Sequence, residues 1–124
     1  MRIYIQTQAF ELTSAIESHV RKQLERNLGP LEEQIIAVDV FLGDINGPKG
    51  GRDKKALVAV QMVSRLSVRF EAMHSDLYSA ISLAARRSKH SVKRILRKHN
   101  RIAKAELRQL RHHQQDYYAE MQAG

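Results

Sequence analysis

Cysteine and tryptophan are both missing from this 124-residue chain, and aromatic residues supply only 6% of it. Without cysteine there is no disulfide, no thiolate metal site and no thiol nucleophile. No apolar run approaches the ~20 residues that span a bilayer. The opening Met1-Arg2-Ile3-Tyr4-Ile5-Gln6 alternates in polarity, unlike the continuous apolar stretch of a signal peptide. A soluble, cytoplasmic protein with no membrane contact is the expectation. Chemistry-bearing motifs are also lacking. The six histidines (His19, His74, His90, His99, His112 and His113) show no zinc-like spacing, and no nucleophile–base pairing is recognisable. The Gly-rich stretch 43–51 lacks the Gly-Lys-Ser/Thr ending of a phosphate loop. Neither an enzyme nor a cofactor, a metal or a small-molecule substrate is expected.

Positive charge is what the chain has in excess, and its location is informative. Residues 1–74 carry ten Lys/Arg against nine Asp/Glu, a net of +1; residues 75–124 carry eleven against four, a net of +7. A basic excess gathered in one segment points to a polyanionic partner. The length suits one domain with a single modest core.

Period-two alternation over Arg2–Thr7 predicts a first strand. Ser14 followed by Glu17 fits a capping box, and Ile16, Val20, Leu24 and Leu28 recur every four residues, so a helix is predicted over 14–28, ended by Gly29-Pro30. Ile35–Leu42 and Ala56–Val63 are apolar runs of strand length, separated by a Gly-rich loop. Leu66, Val68, Phe70 and Ala72 alternate with polar residues in a fourth strand, the hairpin partner of the third. Ser75 or Asp76 caps a second helix whose stripe is Leu77, Ile81, Ala84, Ser88, Val92, Ile95, His99 and Ile102, with His99 expected at the core's edge. No Gly or Pro interrupts 75–123, so this helix is expected to continue to about residue 116. The predicted fold is α+β, in the order β-α-β-β-β-α: a four-stranded sheet with two helices on one face. Residues 1–102 form the domain and 103–124 a helical extension or tail.

Opposite the stripe, Arg86, His90, Lys93, Arg97, Arg101, Lys104, Arg108 and Arg111 follow one another at intervals of three and four, so they form one row. Arg87, Arg94 and Lys98 flank it. At ~1.5 Å per residue the row is about 38 Å long. Regularly spaced phosphates can meet such a ridge at several points, and Arg, which outnumbers Lys here, pairs its planar fork with phosphate and stacks on unpaired bases. A solvated helix face is the bland alternative, but that would place acidic partners one turn away, and only Glu106 interrupts 86–111. On the first helix Arg21, Lys22 and Arg26 face outward, offset by Glu17 and Glu25. Arg52, Lys54 and Lys55 make a third basic cluster that solubility explains equally well.

Three segments resemble the ribosome hibernation-promoting factors, also called ribosome-associated translation inhibitors. They are Glu11-Leu12-Thr13-Ser14-Ala15-Ile16 through His19-Val20, Asp76-Leu77-Tyr78-Ser79-Ala80-Ile81, and the turn Asn46-Gly47-Pro48-Lys49-Gly50-Gly51. Arg87, Arg94 and Lys98 fall where members of that family carry basic residues. The likeness covers about residues 1–100; 103–124 have no clear counterpart, and the chain is similar to the family's short forms. The resemblance implies a fold similar to a double-stranded-RNA-binding domain with an added first strand. It also implies binding to small-subunit rRNA in the channel used by mRNA and tRNA, inhibiting translation during hibernation or stress, as a monomer off the ribosome. Arg21, Lys22, Arg26, Arg86, Arg87, Lys93, Arg94, Arg97, Lys98 and Arg101 are the expected RNA contacts, reading shape through phosphate and sugar.

A second reading is a protein-interaction regulator of the sigma-factor-modulating type. In it Tyr4, Phe41, Leu57 and Val63 project from the uncovered sheet face; the same four side chains can equally pack on one another. A basic amphipathic helix on an anionic membrane fits less well, because the stripe contains Ala84, Ser88 and His99 and neither Trp nor Phe.

Overall fold

The computed structural model describes residues 1–45 and 53–123, with side chains through 115. The Asn46–Gly51 turn and Arg52 of the third basic cluster lie outside the described residues, as do the side chains of Tyr117 and Tyr118. Elements follow in the order β1 (Arg2–Gln8), α1 (Ser14–Leu28), a 3-10 helix (Gly29–Gln34), β2 (Ile35–Asp44), β3 (Lys54–Met62), β4 (Ser67–His74) and α2 (Leu77–Ala123). The chain divides into two compact units, residues 1–92 and 93–124.

In the first unit the strands lie in the order β1-β2-β3-β4. β1 runs parallel to β2, and the other two pairs are antiparallel. A parallel pair cannot be joined by a tight turn; α1 and the 3-10 helix supply the crossover. The register stacks apolar residues in rows across the sheet: Ile3, Val38, Val60 and Val68, then Ile5, Val40, Val58 and Phe70. Val38, Val40, Val58, Val60 and Val68 are buried, and so are Ile16, Val20, Leu24 and Leu28 of α1 and Ala80, Ile81, Ala84, Ala85, Ser88 and Val92 of α2. Both helices therefore cover one face of the sheet, and each large core side chain contributes about 1.5–3 kcal/mol by leaving water. Ser88 is tolerated there because its hydroxyl donates to Ala85 O at 2.7 Å.

Local details differ from the sequence reading in four places. The α1 cap is Thr13, whose Oγ1 accepts from Ile16 N at 3.2 Å, so Ser14 is already helical and the capping box with Glu17 does not form. Gly29-Pro30 ends α1 by opening a 3-10 turn, with Pro30 in its first positions, where a missing N–H costs nothing. Val63 sits beyond β3 in a three-residue hairpin loop, its N–H on Gln34 O at 2.9 Å, while Met62 N bonds Leu66 O at 2.9 Å. Arg65 closes that loop in the left-handed region at φ 70°, the αL position such loops require. His99 is exposed, not at a core edge: within the first unit the stripe is buried at Ile81, Ala84, Ser88 and Val92, and in the second Ile95 is half-buried and Ile102 is exposed.

Candidate nucleic-acid interface

On α1, Arg21, Lys22 and Arg26 stand exposed beside the buried Val20 and Leu24, as 3.6-residue periodicity requires. Arg21 Nε is 3.3 Å from Glu17 Oε1, an exposed pair that a ligand can displace at little cost. Lys22 and Arg26 take part in no ion pair among the described residues.

The start of α2 is held by Asp76, whose Oδ2 accepts from Ser79 Oγ at 2.8 Å and Ser79 N at 3.2 Å. The hydroxyl bond keeps this carboxyl below the ordinary carboxylate value. Three turns on, Arg86 and Arg87 are exposed. Arg87 Nη1 donates to Glu71 O of β4 at 3.3 Å. Since β4 is an edge strand, one of the five Arg87 N–H groups goes to a carbonyl of the sheet edge, and the others remain for a ligand.

His19 ties α1 to α2. Its Nε2 lies 3.1 Å from both Tyr78 O and Ser82 Oγ, and its ring meets Tyr78 edge-on at 4.9 Å. Beside this contact is a hollow of about 280 Å³ lined by Gln23, Arg26, Asn27, Ser82 and Arg86. An arginine from each helix thus lines one concavity.

In the second unit Arg94, Arg97, Lys98 and Arg101 are exposed and Lys93 is half-buried. Arg94, Arg97, Arg101 and Lys104 line one hollow with Asn100. None of these cations takes part in an ion pair among the described residues. Among the described residues, no carboxylate of the unit pairs with them.

The third basic cluster is different. Lys54 Nζ is 2.6 Å from Asp44 and 3.7 Å from Asp53, and Lys55 pairs with Glu71 at 3.5 Å. The hydrogen bond to Asp44 raises the Lys54 ammonium above the ordinary lysine value, against a desolvation that lowers it. Both lysines are neutralised by carboxylates, which strands β2 and β4 bring to them across the register. Gln23, Asn27 and Ser82 were invisible to charge patterning because they are neutral. Each lies one turn from a neighbour in the hollow (Gln23 with Asn27, Ser82 with Arg86), but the sequence does not reveal which helix faces meet.

A four-stranded mixed sheet, covered on one face by two helices whose outward sides are cationic, defines a small α+β domain of the order β-α-β-β-β-α. Among the described residues no helix is long and apolar enough to cross a membrane. Residues 3–100 match the family described as "Sigma 54 modulation protein / S30EA ribosomal protein", and the chain belongs to that family. The N-terminal domain of Protein Y from Thermus thermophilus is similar in structure, with 32% identity and a TM-score of 0.65, covering 77% of this chain and 99% of that one. A ribosomal subunit interface protein from Coxiella burnetii is alike in fold, at 18% identity and a TM-score of 0.61 over 77% of this chain and 97% of that one. No curated protein matches in sequence.

Proposed function

We propose that the chain binds rRNA of the small ribosomal subunit in the channel that mRNA and tRNA use, and so holds idle ribosomes out of translation. One observation carries this reading: the cations of α2 in the second unit are exposed or half-buried and free of carboxylate partners among the described residues. Lys93, Arg94, Arg97, Lys98 and Arg101 there, with Arg21, Lys22, Arg26, Arg86 and Arg87 of the first unit, contact phosphate and sugar and recognise the shape of folded RNA. Membership of a family that includes ribosomal proteins supports the ribosome as the carrier of that RNA. No cofactor takes part, and the chain is a monomer off the ribosome.

Sedimenting a stationary-phase lysate through a sucrose gradient tests it. The chain is expected to travel with small subunits or whole ribosomes and to leave them at high salt; its confinement to the top of the gradient at low salt refutes the reading. A second reading rests on the sheet face away from the helices, where Tyr4, Phe41, Leu57 and Ala59 floor a trough of about 780 Å³. Such an apolar floor with a polar rim suits a protein partner, in a regulator of the sigma-factor-modulating type. A chain held in light protein complexes, away from ribosomes, is the result that favours it.

A further inference from the structure

The hollow between α1 and α2 is unlike the rest of the basic surface. The hollow lined by Arg94, Arg97, Arg101 and Lys104 draws its cations from one helix. Here Arg26 and Arg86 approach one space of about 280 Å³ from two helices, smaller than the usual pocket of a drug-sized ligand. Neither arginine pairs with a carboxylate among the described residues, so two cations line one hollow with no ion pair among those residues to offset them. Two of the neutral wall residues are held in place by hydrogen bonds. Asn27 is buried, with Nδ2 donating to Gln23 O at 2.8 Å. Ser82 Oγ donates to Tyr78 O at 3.0 Å and lies 3.1 Å from His19 Nε2. Two arginines beside walls fixed by these bonds are complementary to one tetrahedral oxyanion, which would accept from both guanidinium groups and offset their like charge.

We propose that this interhelical hollow is a discrete binding site for a single phosphate group. Arg26 and Arg86 supply the charge-assisted bonds; Gln23, Asn27 and Ser82 shape the walls, and His19 acts as a positioning residue through Ser82. The phosphate belongs either to an RNA backbone or to a free phosphoanion. The RNA half rests on the ribosome reading above, whereas the phosphate half stands without it. On RNA, a walled site fixes one phosphate where an open row of cations allows sliding, so it sets the register of the whole contact.

The test is a titration of the isotope-labelled full chain with inorganic phosphate, with ionic strength held constant by sodium chloride, followed by NMR. Saturable shifts are expected at the Asn27 and Ser82 amides and the Arg26 and Arg86 Nε–H groups. Arg26→Gln and Arg86→Gln should each weaken phosphate binding by about tenfold or more, the loss expected when a hydrogen bond between charged groups goes. Arg2→Gln, at an exposed cation of β1 away from the helices, should leave it unchanged. Non-saturating shifts spread over all cations, or phosphate binding by Arg86→Gln equal to the unaltered chain's, overturn the proposal. A second arm separates the sources: competition by phosphate against an rRNA fragment at constant ionic strength identifies a backbone phosphate as the occupant. Saturable phosphate binding that leaves RNA affinity untouched identifies a free phosphoanion. Failure of the chain to sediment with ribosomes would remove the RNA arm and leave the titration standing.

Discussion

Replacing Arg94, Arg97, Arg101 and Lys104 together by Gln removes four positive charges from one stretch of α2 without touching a core side chain. All four are exposed, and they line the same hollow. Gln has nearly the helix propensity of Arg and Lys, so the helix itself should persist. The consequence for RNA binding follows from counterion release. Each phosphate contact contributes ~0.7–0.9 to the slope of log affinity against log salt, so four lost contacts should flatten it by about three. Between about 50 and 200 mM salt the unaltered chain should therefore lose roughly 60-fold more affinity than the variant. Fluorescence anisotropy with a labelled rRNA fragment, read at several salt concentrations with circular dichroism as the control for helix content, measures both slopes. Parallel slopes with helix content preserved refute the reasoning, because they mean that these cations do not meet phosphates.

Leu24→Ala should destabilise the first unit by about 2–5 kcal/mol in chemical denaturation, since the side chain is 1% exposed and its loss leaves a cavity; a cost well under 1 kcal/mol would contradict the packing. Thr13→Ala should cost about 1 kcal/mol through loss of the α1 cap, and Ser14→Ala almost nothing; the reverse order in thermal melts would restore the capping box that the sequence suggests. Asp76 titrates below the ordinary carboxylate value in the folded chain, chiefly through the Ser79 hydroxyl. Its contribution to stability is therefore present above the unfolded-state value, near pH 4, and lost as pH falls through the lower folded value. Asp76→Asn should reduce the acid sensitivity of unfolding, and an unchanged pH profile counts against that role.

Much of the fold was legible because it depends on period. Ile16, Val20, Leu24 and Leu28 mark a helix, and Leu66, Val68, Phe70 and Ala72 a strand, whatever surrounds them. All the predicted elements lie where the patterns put them, within a few residues at their ends; only α2 runs further, to Ala123. The misses have local or tertiary causes. Thr13 and Ser14 both offer a hydroxyl, and the choice between them depends on the chain's direction into α1. His99 continues the apolar spacing, but spacing cannot say where the partner surface stops. Gly29-Pro30 marks an end, and the 3-10 turn that follows is set by the need to bring the chain back to β2.

By itself the sequence determined the elements, their order and the concentration of charge, since these depend on neighbours one to four residues apart. It also carried the family likeness, through short motifs in the right order. Only the tertiary structure decided which cations are free. Lys54, Lys55 and Arg26 look alike in a string of letters, yet strand register hands the first two to Asp44 and Glu71. Packing of α1 on α2 leaves the third lining a hollow together with Arg86. Coulomb interactions follow distance in space, and residues sixty positions apart acquire a distance only when the core closes.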